Sequence, residues 1–232
     1  MENDGQPKTV AIYPGRFQPF GKHHAAAFKW LQSQFGDSNS YIATSDVVNP
    51  PKSPFSFEEK RDIISHYGFG DNVVHTKNVY KADEILSNMD PQNTVAVFLV
   101  GEKDMQDDPR FTMKPKKDGS PSYFQPYDKN KDNLQGFDKH GYLVVAPHVS
   151  IPIEDQGEMS GTTLRSVLGA KVPREQKQKA FKDIFGWYDK GTANMIFDKL
   201  ESIEEPKSIE EVMLETIDEV LANLFPKETS KK

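Results

Sequence analysis

The chain has 232 residues, no cysteine, 36% hydrophobic and 28% charged residues, and a formal net charge of −6. The lack of cysteine excludes disulfides, thiolate nucleophiles and cysteine-held zinc. No apolar run is long enough for a membrane-spanning helix, and the acidic balance speaks against general nucleic-acid binding, so any polyanion site must be a local cluster of cations. These features predict a soluble, cytoplasmic α/β protein, with a main domain over 1–170 and a helical extension over 171–232.

After a polar stretch over 1–8, Val10, Ala11, Ile12 and Tyr13 form a short apolar run closed by Pro14 and Gly15, which predicts a buried strand of a parallel sheet. Gly15 then lets the backbone pass close to a ligand. His24, Phe28, Leu31 and Phe35 follow at intervals of four, three and four residues, the spacing of one helical face with His24 at its entrance. Free N–H groups and the positive end of the helix dipole gather at such an entrance. Arg16, Lys22, His23 and His24 therefore crowd donors and cations onto a spot suited to a triphosphate.

The string GRFQPFGKHH, from Gly15 to His24, resembles the GRFQPFHxGH signature of the HIGH-motif nucleotidyltransferase (cytidylyltransferase-like) superfamily. The resemblance implies transfer of a nucleotidyl group from a nucleoside triphosphate, accompanied by Mg2+, to a phosphate-bearing acceptor, with release of pyrophosphate. It implies catalytic roles for His24, His23, Lys22 and Arg16, and nucleotide contacts from Gly15 and Phe17. Gly21 stands at the first family histidine and His23 at the family glycine, so only His24 matches a family histidine and His23 is a candidate substitute. The GKHH form resembles nucleotidyltransferase-like proteins of large bacteriophages.

Farther along, Tyr41 to Ser45 predict a second strand. The prolines of the next stretch keep helix out until Pro54, after which Ser56 and Glu59 form a capping-box pattern, Ile63, Ile64 and Tyr67 an apolar face, and Gly68 a stop. SPFSFEEKRDII resembles the NPFTAGERxxMI segment of archaeal-type nicotinamide mononucleotide adenylyltransferases, which implies ATP as donor and nicotinamide mononucleotide as acceptor. Asn72 to Val74 predict a third strand, Ala82 to Met89 a helix, and the unbroken apolar run Thr94 to Val100 a central strand. Ligands of open parallel sheets sit beyond the carboxyl ends of strands, which places Gly101 and Asp104 against a nucleotide. The stretch 103–140 has no regular pattern and reads as a lid, binding loop or oligomer contact. Its aromatics Tyr123, Phe124, Tyr127 and Phe137 either stack on a base or fold the loop onto the domain.

Tyr142 to Pro147 predict the last strand. Beyond it, Ser160, Thr162 and Thr163 set hydroxyls at a helix start, with Arg165 one turn later on the same side, an arrangement suited to β- and γ-phosphates. EMSGTTLR resembles the ISSTxxR or ISGTxxR signature of the same superfamily and follows GRFQPF in the family's order. Pro173 to Phe185 and Ala193 to Leu200 predict helices, with Trp187 and Tyr188 as core between them. From Ser208 to Phe225 an apolar face of about four turns must be covered by the parent domain or by a second copy of the chain. His66, His75, His140 and His148 lack metal-ligand spacing, so the chain is expected to hold no metal of its own.

Together these elements predict a Rossmann-like α/β fold, a parallel sheet of about five strands with helices on both faces and a C-terminal helical extension. The expected partners are a nucleoside triphosphate and a small phosphorylated acceptor, without nucleic acid or membrane. His24 and His23 would donate to the phosphates, and Arg16, Lys22 and Arg165 would neutralise pyrophosphate. Cytidyl transfer to another phosphorylated acceptor is one alternative, and a nucleotide-binding or structural protein with weakened chemistry is another. A redox dinucleotide fold lacks its GxGxxG loop.

Overall fold

The structure is a computed structural model and describes residues 7–102, 105, 111, 113–147, 152–153 and 157–203. Its centre is a sheet of six parallel strands. In chain order these are β1 (Lys8–Pro14), β2 (Ser40–Thr44), β3 (Val73–His75), β4 (Thr94–Val100), β5 (Phe124–Pro126) and β6 (Gly141–Val145), arranged β3-β2-β1-β4-β6-β5. Residues Pro152–Ile153 and Gly157–Glu158 add a separate antiparallel pair, β7 and β8.

The helices are α1 (Lys22–Phe35), α2 (Phe57–Ser65), α3 (Asp83–Leu86), α4 (Tyr127–Asn130), α5 (Gly161–Gly169), α6 (Arg174–Phe185) and α7 (Lys190–Glu201). Strand β4 explains the layering. All seven of its residues are buried, as expected of a strand covered on both faces. Val95, Val97 and Leu99 join a core with Phe28, Leu31, Ile63, Leu164, Phe181 and Phe197, whereas Ala96, Phe98 and Val100 face the opposite layer with Ile85, Leu86 and Phe111. Helices α1, α2, α5, α6 and α7 thus share one continuous core, so the described part of the C-terminal extension packs on the same layer as α1. The apolar segment from Ser208 to Phe225 lies outside the described residues, as do Asp104 and His148.

Strand order reverses between β1 and β4, so the chain leaves these neighbours in opposite directions and opens a crevice at their carboxyl ends. Gly15 follows β1 there and Gly101 follows β4. The capping box at α2 is as expected, with Ser56 Oγ accepting from the Glu59 N–H and Glu59 Oε2 accepting from the Ser56 N–H at 2.7 Å. Buried cations were not expected. Lys60 has no exposed surface and donates to Thr44 Oγ1 at 3.0 Å and to the Ser45 carbonyl, holding the loop after β2 against the sheet.

The strand count and the stretch 103–140 need correcting. The sixth strand, β5, lies in that stretch, followed by α4. The aromatics fold it onto the domain: Phe124 packs on Phe98 and Phe111, the Tyr123 hydroxyl donates to the Phe137 carbonyl at 2.9 Å, and Tyr127 packs on Phe35. Phe35 ends α1, a helix of 14 residues and therefore about 21 Å from its start. Tyr127 therefore stands at the far end of α1 from His24.

Candidate active site

Between β1 and α1 the chain makes a tight, internally braced loop. Gly15 donates its N–H to the Ala43 carbonyl at 3.0 Å. A Cβ at Gly15 would stand 2.5 Å from the Phe17 ring, so that ring lies directly on the glycine backbone. Phe17 reaches this position with φ of +47°, a left-handed conformation uncommon outside glycine. Only 4% exposed, it packs edge-on against Tyr13, Phe20 and His24. Phe17 therefore sits in the wall behind His24.

Gln18 ties the loop to two other segments. Its side chain is bidentate to the backbone of Phe55, donating to the carbonyl at 3.0 Å and accepting from the N–H at 2.8 Å. Its own carbonyl accepts from Arg165 Nη1 at 2.7 Å. Each such bond contributes roughly 1 kcal/mol net, more where the partner is charged. The string GRFQPF contains Gln18 but does not reveal this bracing, because its partners lie 37 and 147 residues away.

Two helix entrances meet at this loop. Helix α1 starts after Gly21. His24 Nδ1 accepts the Gly21 N–H at 3.0 Å, which fills one of the helix's open donors and fixes the ring. A ring nitrogen that accepts an N–H carries no proton, so neutral His24 holds its proton on Nε2 and has one donor to offer. Helix α5 starts after Ser160, whose Oγ accepts from the Thr163 N–H at 3.1 Å and lies 2.8 Å from Thr163 Oγ1. Its first turn touches the loop, since a Cβ on Gly161 would meet Arg165 Nη1 at 3.3 Å and the Gln18 carbonyl at 3.4 Å. Arg165 Nη2 donates to Thr162 Oγ1 at 3.3 Å.

The electrostatics are those of a site for anions. Burial lowers the Arg165 pKa, and the positive charge of Arg16 lowers it further. Among the described residues no carboxylate pairs with Arg16, Lys22 or Arg165. The histidines stay neutral. Burial holds His23 down at about 4, and burial, then the neighbouring His23, hold His24 well below its ordinary value. Their rings are 3.8 Å apart, and His23 Nδ1 is buried with no protein partner.

The structure thus brings Gly15, Arg16, Phe17, His23, His24, Ser160, Thr162, Thr163 and Arg165 together at the carboxyl ends of the strands, with exposed Gly101 beyond the adjacent strand, while Lys22 opens α1 with its side chain running beside Gly186. Asp104 lies outside the described residues. Two cavities, of about 860 and 880 Å³, lie elsewhere: one by the strand starts at Lys8 and Thr94, the other between Tyr80, Phe111 and Phe124. An open, cation-lined crevice between helix entrances is the better candidate, because a polyphosphate needs donors and positive charge more than enclosure.

The neutral histidines carry a stability consequence. Between the ordinary value of 6.5 and about 4 the unfolded chain takes up a proton at His23 that the folded chain refuses. Stability therefore falls as pH drops through that window, with His24 acting in the same direction. Urea denaturation at pH 7 and pH 5 should show a smaller loss in His23→Ala than in the native chain. Equal losses would remove burial as the reason for the histidines' neutrality.

No family model and no curated protein matches the chain. Among solved structures it is similar to a bifunctional NMN adenylyltransferase/ADP ribose pyrophosphatase from Francisella tularensis complexed with AMP and a manganese ion, at 17% identity and TM-score 0.47 over 94% of this chain and 57% of that one. A second structure of that enzyme gives a TM-score of 0.48 with the same identity and coverage. A Plasmodium falciparum nicotinic acid mononucleotide adenylyltransferase complexed with NaAD gives 12% identity and TM-score 0.43 over 84% of this chain and 95% of that one. The chain spans 57% of the length of the Francisella protein. Likeness at this level assigns the chain no activity.

Proposed function

We propose that the chain is a nucleotidyltransferase that moves an adenylyl group from ATP to a phosphate-bearing acceptor such as nicotinamide mononucleotide. The observation that carries this reading is the convergence of two helix entrances, one bearing two neutral imidazoles and the other Arg165, on the loop that carries Arg16. Such a site supplies fixed donors and positive charge to a triphosphate, which is what nucleotidyl transfer asks of an enzyme.

In this reaction an acceptor phosphate oxygen attacks the α-phosphorus in line. The new P–O bond forms as the bond to the β-phosphate oxygen breaks, and the electron pair leaves with pyrophosphate. No covalent enzyme intermediate is required. His24 Nε2–H and His23 donate to the phosphates, Arg16, Lys22 and Arg165 stabilise the departing pyrophosphate, and the N–H groups after Ser160 hold its far end. Phe17 and Gln18 act by positioning. Among the described residues no group of three His, Cys, Asp or Glu side chains gathers to hold a metal. The magnesium belongs to the nucleotide substrate and is expected to arrive with it.

The test is magnesium-dependent pyrophosphate release from ATP with nicotinamide mononucleotide as acceptor, with CTP and phosphorylated acceptors in parallel. Release from ATP that needs the acceptor is the expected result. Turnover with CTP alone would keep the reaction and move the donor. Tight nucleotide binding with no release from any pair would sink the enzyme reading in favour of a binding protein.

A further inference from the structure

Lys177, near the start of α6, takes no part in the reaction described above, and it is only 1% exposed. Its ammonium donates to the Leu168 carbonyl at 3.0 Å and to Glu201 Oε1 at 2.5 Å. It thereby ties together the last turn of α5, the beginning of α6 and the end of α7. Glu201 also accepts from Arg174 Nη2 at 3.4 Å, and both cations face the Phe197 ring, Lys177 Nζ at 5.7 Å and Arg174 Cζ at 5.1 Å from its centroid.

Stability alone does not call for an ammonium here. Desolvation of a buried ion pair cancels much of its attraction, and a well-packed apolar side chain of similar volume is often as stabilising. An apolar side chain lacks a directed donor, and α5 needs one. Its last carbonyls have no partner inside the helix. Ala170, which follows it, has φ of −56° and ψ of 141°, outside the left-handed cap that would satisfy them, and the last turn of α5 holds no basic residue. Lys177 supplies both the donor and the positive charge from a neighbouring helix. Leu168 follows Arg165 by three residues, roughly 4.5 Å along the axis, so this anchor lies within one turn of the guanidinium that bonds the Gln18 carbonyl.

We infer that Lys177 is a positioning residue of the anion site: by holding the Leu168 carbonyl it fixes how far α5 reaches toward the Arg16 loop, and so where Arg165 and the N–H groups after Ser160 meet a polyphosphate. The helical extension is thereby part of the site rather than an appendage. The consequence for phosphate rests on the proposed nucleotidyl transfer.

The test is Lys177→Met, read by calorimetric titration with pyrophosphate well below the melting transition and by pyrophosphate release. Glu201 keeps Arg174 as a partner and its side chain is 34% exposed, so the variant leaves no enclosed carboxylate unpaired. Ile184→Val, a trim of the same helix in the core, is the control for general loosening. Lys177→Met should weaken pyrophosphate roughly tenfold and slow release by at least as much, since a misplacement of about 1 Å costs on the order of a hundredfold in rate. Ile184→Val should lower the melting temperature and keep the native affinity. Should Lys177→Met fail to fold, Lys177→Gln, polar but too short to span both partners, is read in the same way. Native affinity in the folded lysine variant, or an equal weakening in Ile184→Val, would overturn the positioning role and leave the proposed site standing. If the native chain binds pyrophosphate but releases none from ATP, the proposed reaction fails and the affinities alone decide the role. A native chain that binds no pyrophosphate would overturn the site and the role with it.

Discussion

Replacing His24 with alanine is expected to slow pyrophosphate release by about a hundredfold or more, because one preorganised donor to a developing oxyanion lowers a barrier by roughly 3–4 kcal/mol. Three features make this donor costly to lose. Its tautomer is fixed, since Nδ1 is occupied by the Gly21 N–H at 3.0 Å. Its charge is fixed, since burial keeps the ring neutral well above its own lowered pKa. Its orientation is fixed by Phe17 and Phe20, with ring centroids 5.2 and 5.3 Å away. A donor so constrained needs no reorganisation as charge builds on the phosphate.

Alanine also strips the Gly21 N–H of its acceptor and leaves space between the two phenylalanines, so His24→Ala should lose stability as well. The chemistry separates from the fold in a single-turnover rate measured well below the melting transition, alongside ATP affinity. His24→Asn is the control: its carbonyl oxygen can accept the Gly21 N–H, and its amide can still donate. A His24→Ala protein that is folded, binds ATP and turns over at the native rate would remove His24 from the mechanism.

How much of this was legible in the sequence depends on the range of the interaction. The apolar run of β4, the Pro14–Gly15 break, the capping box at Ser56 and Glu59, and the hydroxyls at Ser160 and Thr163 are local patterns. Each folds as its pattern predicts, within a residue or two. Strand β5 was hidden because Phe124–Pro126 is a three-residue edge strand that pairs on one side only and ends in proline. Its identity comes from Phe124 packing on Phe98 and Phe111, which no local periodicity encodes. The burial of Lys60 was hidden for a similar reason. Within α2 it reads as part of a polar face, and only the loop returning over Thr44 and Ser45 encloses it. Gln18 illustrates the limit. Its string was conspicuous, but its work as a brace between Phe55 and Arg165 is visible only once three distant segments are assembled.

Replacing Arg165 with alanine is the second large effect expected, a loss of roughly a thousandfold in release, the lower end for an arginine that stabilises phosphoryl-transfer charge. The guanidinium is anchored by the Gln18 carbonyl at 2.7 Å and Thr162 Oγ1 at 3.3 Å, which fixes its orientation. Its pKa is lowered by burial and by Arg16, so two cations that disfavour one another face the same loop. A polyanion between them converts that repulsion into attraction. Two results follow that a purely structural arginine would not give. First, pyrophosphate should raise the melting temperature of the native chain by mass action, and Arg165→Ala should lose most of that rise. Second, without any anion the loss of stability should be small beside the loss of release, at most the roughly 1.5–3 kcal/mol of a charged donor's bond to the Gln18 carbonyl, reduced by relief of the repulsion with Arg16. Arg165→Lys should fall between the two, since an ammonium keeps the charge but cannot span both anchors and a phosphate. Thermal melts over a pyrophosphate titration at low and moderate salt test this directly. If Arg165→Ala keeps the full pyrophosphate-dependent rise, the anion is bound elsewhere, and the convergence of α1 and α5 on the Arg16 loop is a packing contact rather than a phosphate site.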